Sequence, residues 1–326
     1  MPSIVRAVAF IALPAVLLSQ TPPTPSPAAT AEQLFEARKW DEARAAFQAR
    51  LAQDPRDAAA MAYMGRIAQA QQKRSEAIGW LEKAVKQDER NAMYHFWLGS
   101  ALGDEAQQAS KLRQPFLARR IKSEFERAVA LDSALLEPRF GLVDFYTMAP
   151  AIMGGSMDKA REQAVAIGRL NAMRGHLARA RIAMREKNDS AVVREHEAAI
   201  AAAPDSTPAY YGLSSYHRSH SRWAEAMAVM ERLMKQRPSD PVPHAWWGII
   251  SAISGIDMTR GERELKHYLA NAPSETTPQS FANVHFRLGQ IYEKTGRAEA
   301  ARAEYEKALT FNPGLADARK ALDGLR

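Results

Sequence analysis

The eight histidines of this cysteine-free, 326-residue chain are the side chains best placed for chemistry, because imidazole titrates near neutral pH and ligates metals. His95, His176, His244 and His285 share one position, four residues ahead of Gly99, Ala180, Gly248 and Gly289. Equivalent positions in stacked units lie about 10 Å apart, too far to share one ion, so they are expected to replace a packing aromatic. His217 and His220 in SYHRSHSRW are the one local pair with ligand spacing, and no carboxylate or third histidine stands beside them. The chain has no G-x-S-x-G, no Gly-rich phosphate loop and no H-E-x-x-H. Its Asp and Glu are spread at helix-surface spacing, with nothing marking a raised-pKa pair. No catalytic residue, metal or cofactor is expected, and the chain reads as a binder rather than an enzyme. Arg174, Arg181 and Arg185 form a second set: their +7 and +11 spacing puts them on one helical stripe, where guanidinium groups suit carboxylates or phosphates.

The elements that carry these residues repeat. A small residue is followed four positions later by a large one and often, eight beyond that, by proline, as in Ala43, Phe47, Pro55 and Ala301, Tyr305, Pro313. The large slot recurs at Phe47, Leu81, Phe125, Ala164, His196, Met230, Leu265 and Tyr305, a period near 34 that indicates one helical array. Within a unit, apolar residues recur at i, i+3/i+4 and i+7 in two runs split by a polar break such as QQKRS (71–75) or KTGR (294–297), so each unit is a helical hairpin. Thr30 and Gln33 suit a capping box on a short opening helix, Ala31 to Arg38. Ala318, Leu322 and Leu325 give the last run an apolar side that can cover the final hairpin.

The last unit, with His285, Leu288, Gly289 and Tyr292 followed by Ala301, Tyr305, Ala308 and Pro313, resembles the tetratricopeptide repeat, departing from it at His285 in the tryptophan slot. The same register runs over about residues 31–325. The resemblance implies an all-α, right-handed superhelical solenoid of about eight helical hairpins plus a C-terminal capping helix. It further implies a concave groove lined by the first helices, whose inner faces would carry Phe96, Phe145, Tyr146, Arg174, Arg181, Arg185, Tyr211 and Arg218. Such a groove would hold a protein or peptide segment with apolar side chains and acidic groups. The Lys/Asn clamp of chaperone-tail-binding relatives is not reproduced, since Ala62 and Arg66 stand where it would begin. A cell-wall or polysaccharide binder is the alternative, and it would use Trp246, Phe145 and Tyr146 as exposed aromatics.

MPSIVR followed by the 13-residue apolar run AVAFIALPAVLLS reads as a signal peptide (1–19) cleaved after Ser19, with an uncleaved anchor as the alternative. Residues 20–30 are then a Pro-rich tether, 31–313 the solenoid and 314–326 the capping helix. This predicts a periplasmic or secreted protein with no integral membrane span after cleavage. Net charge is +7, and export makes nucleic acid the least fitting partner for that mild basicity. Two insertions break the rhythm, near 103–120 and 147–157, and stacking should bring them together on one edge. They are expected either to bury Leu112, Phe116, Met148 and Met153 against each other or to form a lid or docking edge, where Gly154–Gly155 permits unusual backbone angles.

Overall fold

In the computed structural model, which describes residues 30–272 and 278–325, the chain is a row of eight helical hairpins and a closing helix. The signal-peptide and tether assignments lie outside the described residues. The hairpins are α1 (Ala31–Glu36) with α2 (Trp40–Gln53), α3 (Ala58–Ala70) with α4 (Arg74–Gln87), and α5 (Ala92–Ala106) with α6 (Gln114–Leu131). They continue with α7 (Leu136–Met148) and α8 (Met157–Leu170), α9 (Ala172–Arg185) and α10 (Asp189–Ala202), and α11 (Thr207–Ser219) and α12 (Trp223–Gln236). Last come α13 (Val242–Ser254) with α14 (Met258–Asn271), α15 (Pro278–Lys294) with α16 (Ala298–Phe311), and the cap α17 (Ala316–Gly324). The described residues contain no strand.

Sequence spacing becomes packing through the glycines of the first helices. Three of them stand where the large residue of a second helix crosses: a methyl group added at Gly65 would lie 2.6 Å from Leu81, one at Gly248 2.6 Å from Leu265, and one at Gly289 2.5 Å from Tyr305. All eight large-slot residues are buried. The apolar core is therefore a series of packets along the array rather than one centre, as expected where each repeat touches only its neighbours. The capping box of Thr30 and Gln33 forms, although α1 stops at Glu36 rather than Arg38, which turns left-handed instead. At the other end Ala318, Leu322 and Leu325 cover the last packet.

Five of the hairpin turns share one device. Arg38, Gln72, Lys187, Ser221 and Gly296 all adopt positive φ between a first and a second helix, and the next residue donates its N–H to a carbonyl five positions back. Only the last of these is glycine, although the left-handed region costs other residues about 1 kcal/mol or more. Gln72 is exposed, has φ of 60° and makes no side-chain hydrogen bond among the described residues. Gln72→Gly should therefore raise stability by about 0.5–1 kcal/mol, read as a higher urea midpoint at unchanged slope; a lower midpoint would contradict this account of the turn.

The insertions extend elements rather than adding a domain. α5 and α6 run to 15 and 18 residues against 13 and 14 in α3 and α4. After α7 the chain makes a 3-10 turn (Ala151–Met153), and Ser156 N–H ties it back to the Tyr146 carbonyl. The helix that the first insertion leads into does reach the second, since α6 packs on that turn. The expected mutual burial fails, however: Leu112, Phe116 and Met148 are exposed and only Met153 packs on the core. Leu117 and Ala118 take the inward positions at the start of α6, which leaves Phe116 pointing off the array.

Candidate functional site

The longest wall of first helices runs from α3 to α9, where α3–α5, α5–α7 and α7–α9 are in direct contact. A groove of about 730 Å³ opens along it. Its floor is aromatic. Phe125 rises from α6 between Gly99 and Gly141, where an added methyl would lie 2.7 and 2.9 Å from its ring, and Phe96, Phe140 and Phe145 stand around it. α9 forms the far wall. The guanidinium carbons of Arg174 and Arg181 lie 5.0 and 4.9 Å from the centre of the Phe140 ring, one on each contact. Arg181 also donates to Asp144 at 2.8 Å, and Arg174 lies 3.4 Å from Glu137. Burial pushes the Asp144 carboxyl upward, while Arg181 and Arg185 pull it back. Arg185 lines the same groove and acts on Asp144 only through its charge, with no ion pair among the described residues. The arginine stripe is thus largely self-neutralised, and one guanidinium is left for a ligand.

Beyond α9 a second cavity, about 950 Å³, separates α9 from α11 and shares Phe140, Arg174 and Arg181 with the first. His196 lies at its base, in the large slot of α10, against Gly212. Its Nδ1 is buried without a hydrogen-bond partner, and burial, helped by nearby His217, lowers its pKa to about 4. His196 is therefore a neutral ring in an aromatic's place.

The other slot histidines are neither ligands nor plain aromatics. His95 Nδ1 lies 2.6 Å from Glu124, His176 Nδ1 2.9 Å from Glu195, His244 Nδ1 2.6 Å from Glu264 and His285 Nδ1 2.6 Å from Glu304. Each glutamate immediately precedes a large-slot residue (Phe125, His196, Leu265, Tyr305), so each pair bolts the two helices of one hairpin together. The reading of the carboxylates as scattered surface residues is corrected here, and the readable signal was a histidine four before the glycine matched by a glutamate one before the large slot. The Glu124 hydrogen bond raises His95, against desolvation. Burial pushes Glu195, Glu264 and Glu304 up, but the hydrogen bonds from His176, His244 and His285 and from nearby cations outweigh it and hold all three low. His217 and His220 do not converge on a metal: His217 is buried in α11, and His220 caps that helix with Nδ1 2.9 Å from the Tyr216 carbonyl. Among the described residues no three His, Asp or Glu side chains group as ligands.

This hairpin register is also what the family comparison detects. One tetratricopeptide repeat family model matches residues 282–315, and a second matches 29–92 and 193–241, so the first two hairpins, the sixth and the last are each covered. The chain is a tetratricopeptide repeat protein. No curated protein matches its sequence. Solved structures with a similar course include a tetratricopeptide repeat protein from Parabacteroides merdae ATCC 43184, at 12% identity and a TM-score of 0.46, covering 82% of this chain and 98% of that one. YrrB, described as a TPR protein with an unusual peptide-binding site, is similar at 13% identity and a TM-score of 0.37, covering 74% and 97%. Cut9–Hcn1 of the APC/C is similar at 14% and 0.45, covering 90% of this chain and 54% of that chain.

In this tetratricopeptide repeat protein the eight expected groove residues divide. Phe96, Phe145, Arg174, Arg181 and Arg185 come together in the groove. Tyr146, on the same helix as Phe145, does not: it is buried, and its hydroxyl donates to Glu126 at 2.9 Å on the side facing away. Neighbouring positions on a helix point about 100° apart, and the groove takes Asp144 and Phe145 of α7 while the next position, Tyr146, turns out of it. Tyr211 and Arg218 form a separate stack with Trp246, at 5.0 Å between rings and 5.3 Å from the guanidinium. Phe140, Phe125 and Asp144 complete the site and went unnoticed in sequence. Arg66, at the place of the absent clamp, is packed between Phe35 and Trp97, 4.5 and 4.7 Å from their ring centres, which leaves Ala62 and Arg66 no clamp to form.

Proposed function

We propose that this protein is a non-catalytic adaptor of the bacterial envelope, which holds a segment of a partner protein in the groove of hairpins three to five. Repeats of this family build protein-interaction scaffolds, and the first helices here shape a continuous trough. The observation that carries the reading is the phenylalanine floor around Phe125 bordered by Arg185, an unpaired cation at an otherwise neutralised wall. Apolar side chains of the segment fill the floor, and a carboxylate on it pairs with Arg185. The export signal read from residues 1–19 supports the envelope assignment. The polymer-binding alternative loses support because Tyr146 is buried and Trp246 is taken up by its stack with Tyr211 and Arg218.

The test is capture from envelope extract, with cross-linking and mass spectrometry naming the partner. Arg185→Glu alone should lower its recovery by about threefold or more, since an attraction at an exposed rim position becomes a repulsion. Arg181→Glu with Arg185→Glu should abolish capture. Unchanged recovery with both variants folded would overturn groove binding.

A further inference from the structure

The two insertions display an edge that the groove does not use. Ile152 is 94% exposed, Leu112 85%, Phe116 70% and Met148 58%. They belong to neighbouring segments, because α6 packs on the 3-10 turn that carries Ile152. Their charge context is one-sided. Residues 106–123 hold Lys111, Arg113, Arg119, Arg120 and Lys122 with no acidic residue, and residues 145–157 hold no charge at all. Arg113 pairs with Glu105 at 3.1 Å, Arg120 with Glu82 at 2.7 Å and Lys122 with Glu126 at 3.7 Å; Lys111 and Arg119 pair with nothing among the described residues.

We propose that this edge docks the protein on an anionic lipid surface. Side chains this exposed at the tips of a helix start and a turn protrude. They cannot receive a partner's side chain, but they can enter the headgroup region, with the cations beside them on the lipid phosphates. Leu112 lies between Lys111 and Arg113, and Phe116 lies one turn ahead of Arg119 and Arg120, so apolar and cationic groups reach the surface together. Single exposed apolar residues are ordinary on soluble proteins; three or four on neighbouring segments beside Lys111 and Arg119, which pair with nothing among the described residues, are not. The attachment is peripheral, and no described helix is long and apolar enough to cross a membrane. Because Met148 belongs to both the edge and the groove, lipid contact would bring the groove mouth near the membrane. The proposal stands independently of the groove reading.

The test uses the full chain and sedimentation with phosphatidylcholine vesicles, with or without about a third phosphatidylglycerol. The protein should bind the anionic vesicles and lose at least about tenfold in affinity without the anionic lipid or in high salt. Phe116→Ser with Ile152→Ser should lower binding about tenfold at low salt, and Lys111→Glu with Arg119→Glu by at least as much. All four positions are exposed, so the variants should keep the parent's circular dichroism. Arg185→Glu should affect partner capture and leave vesicle binding within about twofold, which separates this failure from that of the groove. No binding to anionic vesicles, or binding that both double variants leave intact, would overturn the proposal. So would loss of a cross-linked acidic protein in these variants with vesicle binding unchanged, which would make the edge a protein dock.

Discussion

A His196→Phe variant will lose about 3 kcal/mol less stability than the parent between pH 6.5 and pH 4. Burial lowers His196 from an ordinary value of 6.5 to about 4, so in this window the unfolded chain binds a proton that the folded chain refuses. A group depressed on folding contributes stability that is present above its unfolded pKa and lost as pH falls through the folded one. Phenylalanine suits the site because Phe47, Phe125 and Tyr305 fill equivalent slots, and Gly212 leaves room at the ring edge. It also removes the unpartnered Nδ1, so the variant should be at least as stable at neutral pH. Other groups bound the window. Glu195, Glu264 and Glu304, held low, start to lose their share as pH falls through the unfolded value of 4.5, inside the acid end of the window, but they stay in the variant and cancel in the comparison. His95 is raised, so its share is complete below 6.5 and fades as pH rises above it. His217, lowered by burial, leaves the variant some residual slope. Urea titrations at pH 7 and pH 4 measure the difference; parallel losses in parent and variant would refute the assignment to His196.

Phe125→Ala should cost about 3–5 kcal/mol, the loss usual for a buried phenylalanine. Its ring is almost fully buried and is shared: Gly99 of its own hairpin and Gly141 of the next both close on it, and Phe96 lies 5.9 Å away. Removing it therefore weakens one hairpin and the junction between hairpins three and four. In an array held by nearest-neighbour contacts, such a cut separates the halves. Hydrogen exchange should show residues 92–170 opening well before α11 to α16, where the parent opens these segments more evenly. The groove loses the centre of its floor in the same step, so capture should fail even where the variant remains folded. A loss below about 1 kcal/mol, or uniform exchange along the array, would show that this ring does not couple the two hairpins.

Most of the fold was legible because a helical array is specified locally. The glycine of a first helix and the large residue of a second recur at fixed spacing, and that spacing alone places Gly65 under Leu81 and Gly289 under Tyr305. The site was legible where a single helix decides the face, as for the +7 and +11 arginines. It was misread where two helices must be aligned. Tyr146 follows Phe145 in the chain but turns to Glu126, and the histidines looked like packing residues because their glutamates lie 19 to 29 positions away on the other helix.

By itself, then, the sequence determined the hairpin count, the register, the buried slots and the places where two extra segments interrupt the rhythm. These follow from periodicity and from neighbour-only packing. Only the tertiary structure decided which charges are already satisfied and which side chains remain free. Arg174 and Arg181 are spent on Glu137, Asp144 and the Phe140 ring, whereas Arg185 is not. Leu112, Phe116 and Ile152 have apolar types that sequence would bury, yet they stand in solvent because nothing stacks beyond the insertion. The physical reason is common to both: helical phase is carried along one segment, but neutralisation and burial depend on what the adjoining hairpin places across a gap of a few ångströms.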